Sequence, residues 1–361
     1  MRCTVVLGLI LAATSPAIKA QWDIQNSGTT ADLRGITSIG AGIAWASGTN
    51  GTVLRTEDGG YLWQRCTIPP GADKLDFRGI QAFDANTAIV MSSGPGDLSR
   101  LYKTTDGCQT WKLIATNPDK DGFWDAIAAL APEVYMVLGD PIQGHFVLQT
   151  TSDDGKTWAS YQTSPSQNGE GAFAASNSSL LNHEDDEEDG PLLFVTGGPL
   201  GARIFRADLK SNCSHKPSCP EVLSSQQLPM FAKGEGAGIF SIAEGPSYSA
   251  VAVGGNYQKP NESSGTAAFI TGKHWQASTT PPHGYRSAVA YDASTKTWIT
   301  VGPNGTDIST DDGHNWRALK PTSTEQPDAD QHWNALSLPF VVGPHGRIGV
   351  LNPAALKGDA K

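Results

Sequence analysis

Four aspartates recur in one octapeptide frame: TEDGGYLW at 56–63, TTDGCQTW at 104–111, TSDDGKTW at 151–158 and STDDGHNW at 309–316. The frame gives Asp58, Asp106, Asp153 and Asp311 the chemistry of a turn rather than of catalysis. A short carboxylate accepts hydrogen bonds from the amides of a tight turn, glycine supplies a positive φ, and the tryptophan starts the next strand and packs inward. These aspartates are read as structural, and no catalytic residue is assigned.

A second pattern puts recognition chemistry at the entry of apolar strands. Leu33-Arg34-Gly35-Ile36, Phe77-Arg78-Gly79-Ile80 and Tyr285-Arg286-Ser287-Ala288 each carry an arginine at the second position. Asp125, Gly171, Phe240 and Asn334 stand at the equivalent place in four related segments. Arginine meets a carboxylate or phosphate through a two-pronged hydrogen bond, so a ring of such positions suits a protein partner or an anionic ligand. Glu170, beside a strand entry, and Asp140, Tyr257 and Lys259, in turns after second strands, complete the candidate face with Arg34, Arg78, Asp125, Arg286 and Asn334. The competing assignment is that the arginines pair with nearby carboxylates such as Asp125 and seal a channel.

The remaining reactive side chains point to covalent stapling, not to metal. Cys213 and Cys219 are spaced for a local loop disulfide, which leaves Cys66 and Cys108 for a second bridge. No zinc-finger spacing, Cys-x-x-Cys pair or haem attachment pattern occurs, and the histidines scatter without paired metal spacing. Neither glycine-rich stretch, at 40–42 or 234–238, has dinucleotide spacing. No cofactor or metal is expected.

Positioning these groups takes many short strands. The box tryptophans Trp63, Trp111 and Trp158 advance by 48 and 47 residues, and the interval to Trp316 fits three further steps with an insertion. Seven strand entries and seven apolar strands ending at Gly48, Gly94, Gly139, Gly197, Gly254, Gly302 and Gly343 give the same count. About four strands per repeat is the content of one propeller blade, so the fold class is all-β, a seven-bladed β-propeller with Asp-box turns. Blade four is long: it opens at Gly171-Ala172-Phe173, absorbs the acidic run at 184–189 and the Cys213–Cys219 loop, and its box has decayed around Ala207 and Asp208. Blade seven lacks an outer strand, which residues 22–26 supply, closing the ring and covering an edge.

On the boxes, on Leu33-Arg34-Gly35-Ile36 followed by Ala44-Trp45-Ala46-Ser47-Gly48, and on Tyr285-Arg286-Ser287-Ala288-Val289, the chain resembles the photosystem II assembly factor family of exported seven-bladed propellers. The resemblance implies a non-enzymatic helper whose arginines near the channel, here Arg34, Arg78 and Arg286, bind partner proteins. The rival class is a sialidase-like glycoside hydrolase, which would hold a substrate carboxylate on the three arginines and use Asp125, Asp140 and Glu170 as acid and base. The Arg-Ile-Pro signature and a convincing Tyr–Glu pair are missing, Tyr257 being only a formal candidate, and a shared fold does not license shared chemistry.

A net charge of −10 argues against nucleic-acid binding. Arg2, the apolar run at 4–13 and the small residues before Ala20 have the layout of a secretory signal peptide, cleaved after Ala17 or Ala20. Residues 21–361 then form one propeller domain, expected to be a monomer in the periplasm or outside the cell. No later stretch reaches the roughly 20 apolar residues of a membrane helix.

Overall fold

The computed structural model describes residues 21–184, 189–208, 222–272, 274–321 and 325–356. Their strands form seven sheets, six of four strands and one of five. The first strands of the blades are Leu33–Gly40, Phe77–Ala82, Trp124–Ala131, Leu180–Glu184, Ala237–Glu244, Ala288–Asp292 and Ala335–Ser337. Each touches the first strand of the next blade, and the seventh touches the first, so they line a common axis. The chain is therefore the seven-bladed, all-β propeller that its repeats predict.

The core is divided among the blade interfaces. Seven clusters of buried apolar side chains occur among the described residues, and each joins two neighbouring blades. The strand Val134–Ile142 shows how one sequence serves two interfaces: Tyr135 and Val137 pack toward blade two, whereas Met136 and Leu138 pack toward blade four. Successive side chains of a strand point to opposite faces, so a sheet buried on both sides reads as a nearly continuous apolar run.

The ring closes through the N-terminal strand. Trp22–Gln25 pairs antiparallel with Ile348–Leu351, Trp22 opposite Leu351 and Gln25 opposite Ile348. Trp22 is 1% exposed, lies 5.8 Å from the Trp333 ring and donates its indole N–H to Thr306 Oγ1 at 3.1 Å. A buried disulfide, Cys66–Cys108, ties the end of the outer strand of blade one to the box of blade two. The Cys213–Cys219 pair, most of the acidic run and residues 1–20 lie outside the described residues.

Blade four departs from expectation in two ways. Its first strand begins at Leu180, not at Gly171, because residues 172–179 leave the sheet after a single bridge between Gly171 and Gly197. It also gains a fifth strand: Gln162–Thr163 runs parallel to Val222–Leu228, so the segment after Trp158 is split between blades three and four.

Candidate functional site

The antiparallel order puts the first-strand entries and the turns after second strands on one face, and the boxes on the other. On the entry face the sheets carry a recurrent irregularity. The pairing slips by one residue between Leu33 and Gly35, Phe77 and Gly79, Trp124 and Ala126, and Ile239 and Ser241. The extra residues are Arg34, Arg78, Asp125 and Phe240. A bulge turns its side chain out of the regular alternation, which accounts for four different side chains at one structural position.

Two of these residues form a pair. Arg78 donates from Nε to Asp76 Oδ2 at 2.8 Å and from Nη1 to the carbonyl of Ala174 at 3.1 Å. Arg34 Nε lies 3.9 Å from the other oxygen of Asp76, and both arginine side chains are 31% exposed. Asp125, close enough to Arg78 to feel its charge, is almost fully buried. Burial first, and then the charge of Asp140, hold its carboxyl well above the ordinary range, although Arg78 and the amides of Asp140 and Ala174 draw it back. Asp140 is part of the strand Val134–Ile142 rather than of the following turn, and its Oδ1 accepts the Ala172 amide at 3.1 Å. Burial pushes Asp140 up to about 6.

The structure sets the other candidates apart from this pair. Arg286 is 0% exposed, donates from Nε to Asp307 at 2.8 Å and from Nη1 to Asn304 at 2.5 Å, and contacts His283, which itself bonds Asp307. His283 and Arg286 hold Asp307 below the ordinary carboxylate range in spite of its burial. Glu170 is locked to Arg203 Nε at 2.8 Å and to Thr196 at 2.6 Å, inside the protein. Asn334 donates to the Leu33 carbonyl at 2.8 Å, across the blade seven to blade one junction. Tyr257 remains half-exposed at the rim, edge-on to Phe240, and Lys259 pairs with Glu262 in solvent. Of the three arginines, Arg34 and Arg78 face solvent and Arg286 serves the interior of blade six.

The box face is built from repeated local bonds. In the second box Thr104 Oγ1 donates to Asp106 Oδ1 at 2.9 Å and accepts the Cys108 amide at 3.0 Å, while Asp106 accepts the Thr110 amide and hydroxyl at 3.0 and 2.6 Å. The Thr110 hydroxyl and amide lower Asp106 to about 2, and Thr157 does the same for Asp153. Asp58 and Asp311 are held in the same frame by the Leu62 and Asn315 amides. Cys108 occupies the left-handed position, φ 63°, that glycine fills in the other three boxes.

Sequence reasoning passed over Asp76, although it stands two residues before Arg78, within side-chain reach along an extended strand. It also passed over residues 174–179, and it read Ala172 and Phe173 only as a strand entry. Among the described residues no group of three or more His, Cys, Asp or Glu side chains is arranged to hold a metal, and no helix is long and apolar enough to cross a membrane.

Residues 14–184 match the family described as "Photosynthesis system II assembly factor YCF48". No curated protein matches the chain. Among solved structures, YCF48 bound to a D1 peptide superposes with a TM-score of 0.60 at 16% identity, covering 92% of this chain and 97% of that one. YCF48 from Cyanidioschyzon merolae gives 0.60 at 16% identity, with 92% and 99% covered. An ancestral GH74 enzyme gives 0.52 at 11% identity, with 90% of this chain and 45% of that one. At these identities the structures speak to fold alone. The chain thus carries the photosystem II assembly factor YCF48 family match over its N-terminal half and that family's propeller fold over its described length.

Proposed function

We propose that this protein is a non-catalytic binding module that holds a protein partner on its strand-entry face, at Arg34 and Arg78, and acts as an assembly or scaffold factor outside the cytoplasm. The observation that carries the reading is the sharing of Asp76: two partly exposed guanidinium groups, each with five N–H donors, face one carboxylate that can satisfy only part of them. A second carboxylate, brought by a partner, would complete the arrangement with charge-assisted bonds. The likeness to a YCF48 bound to a D1 peptide supports a peptide segment as the bound element.

Two further observations support the reading. Asp125, buried, and Asp140, partly buried, the carboxylates a glycosidase would need, are turned toward the backbone of residues 172–174, which speaks for binding rather than hydrolysis. The Cys66–Cys108 disulfide supports export, since such bonds persist in oxidising compartments.

A photo-crosslinking amino acid placed at Tyr257 on the entry face, or at the exposed Tyr61 on the box face, tests the assignment in the source organism. The expected result is a discrete protein adduct from position 257 alone. An adduct from position 61 alone would move the binding face to the boxes.

A further inference from the structure

In blades one, two, three and five a single residue bulges after the first rung of the innermost strand. In blade four the first rung joins Gly171 to Gly197 and the next joins Leu180 to Phe194, so residues 172–179 stand where other blades have one. Ser176 Oγ donates to the Ser287 carbonyl of blade six at 2.7 Å. Ser178 Oγ donates to Ser241 Oγ of blade five at 2.7 Å, and the Ser178 carbonyl accepts the Ile242 amide at 2.9 Å. Asn177 accepts the Ile127 amide of blade three at 2.8 Å and donates to the Ile127 carbonyl at 3.0 Å. The Ala174 carbonyl receives Arg78 of blade two, and the Phe173 ring stacks on Phe240 at 3.8 Å.

One segment that touches the innermost edges of blades two, three, five and six lies on the axis they surround. A neighbouring glycine is shaped to it: a Cβ on Gly79 would come within 2.8 Å of Asn177 Oδ1 and 2.9 Å of Ile127 Cγ2. Ala174 and Ser176 are buried, as a segment packed inside the channel must be.

We infer that residues 171–179 plug the axial channel and position Arg78 for the entry face. The plug amides are met by Asp140 and Asp125, and the Ala174 carbonyl returns a bond to Arg78, whose other anchor is Asp76. Recognition is thereby confined to a face with a floor, and no extended chain threads the propeller. The positioning role rests on Arg78 serving the face proposed above; the plug itself does not.

The test needs no partner. In the whole chain with nitrogen-15 arginine, the Arg78 Nη1 protons, bonded to the Ala174 carbonyl, exchange slowly with water, as do those of Arg286 Nη1. In Ser176→Ala/Asn177→Ala/Ser178→Ala, exchange at Arg78 accelerates about tenfold or more, the scale of a lost hydrogen bond to a charged group, while Arg286, held by Asp307 and Asn304, is unchanged. Unchanged exchange at Arg78 overturns the positioning role. If both arginines accelerate, the variant has lost its fold and Asn177→Ala alone is read in the same way. Independently, the Ile127 and Ile242 amides of the wild type, whose acceptors come from residues 177 and 178, are protected like core strands; loop-like exchange there overturns the plug. Loss of partner binding with intact plug readouts would leave this inference standing, and intact binding in Arg34→Ala/Arg78→Ala would remove only the face.

Discussion

Arg286 and Asp307 form an ion pair with no exposure of the arginine and 1% of the aspartate side chain, closed by a 2.8 Å bond from Nε. Arg78 opens the same kind of strand with the same kind of sequence, yet is about a third exposed. Removing one member of a buried pair leaves an uncompensated charge, which costs about 3–5 kcal/mol. Arg286→Ala is therefore expected to lower the unfolding free energy by that amount, measured by urea denaturation. Arg78→Ala is expected to fall within about 1 kcal/mol of the wild type, as exposed pairs do.

Asp140 and Asp125 tie stability to pH. Burial raises both folded-state values, Asp140 to about 6 from 3.8, so the folded state holds protons that the unfolded state has released between those values. That contribution is fully present below the unfolded value and lost as pH rises through the folded one. The melting temperature is expected to rise as pH falls from 7 to 5, and Asp140→Asn to stabilise the protein at pH 7 by about 3 kcal/mol and flatten the rise. Asp106 and Asp153 act in the opposite sense: lowered to about 2, they contribute above the ordinary carboxylate value and are lost as pH falls toward 2. A stability maximum in mild acid follows. A melting temperature that declines steadily from pH 7 to 5 would contradict this account of the two buried carboxylates.

Ring closure rests on Trp22. Its ring fills the interface between blades six and seven against Trp333, and its strand covers the edge of Ile348–Leu351. Trp22→Ala is expected to cost about 3–5 kcal/mol and to speed amide exchange in Ile348–Leu351 before other strands. Uniform acceleration in all blades would argue that closure is not local.

The Cys66–Cys108 bridge spans 42 residues and joins adjacent blades. Replacing both cysteines by serine is expected to remove about 2–4 kcal/mol, read as a lower denaturation midpoint. An unchanged midpoint would mean that the strand hydrogen bonds hold the two blades without it.

The blade count, the boxes and the closing strand were legible because each is written in local sequence. A box is eight residues that bond among themselves, and Trp22-Asp23-Ile24-Gln25 looks like the other outer strands. The site was legible only in part. Arg78 and Arg286 sit in near-identical contexts, and what separates them is Asp76 before one and Gly284 before the other, together with Asp307 on a later strand. Gly171-Ala172-Phe173 has the apolar character of a strand entry and makes one rung of it, but residues 174–178, which follow, find partners across the axis. Ser176 and Ser287 are far apart in sequence, and no periodicity announces a bond between them.

The most direct test of the binding face is the affinity of the crosslinked partner for wild type, Arg34→Ala/Arg78→Ala and Tyr61→Ala, with melting temperatures recorded alongside. The account predicts that the double variant loses at least about tenfold in affinity, the scale of a lost charge-assisted hydrogen bond, at an unchanged melting temperature, while Tyr61→Ala binds normally. Undiminished binding by the double variant would contradict it.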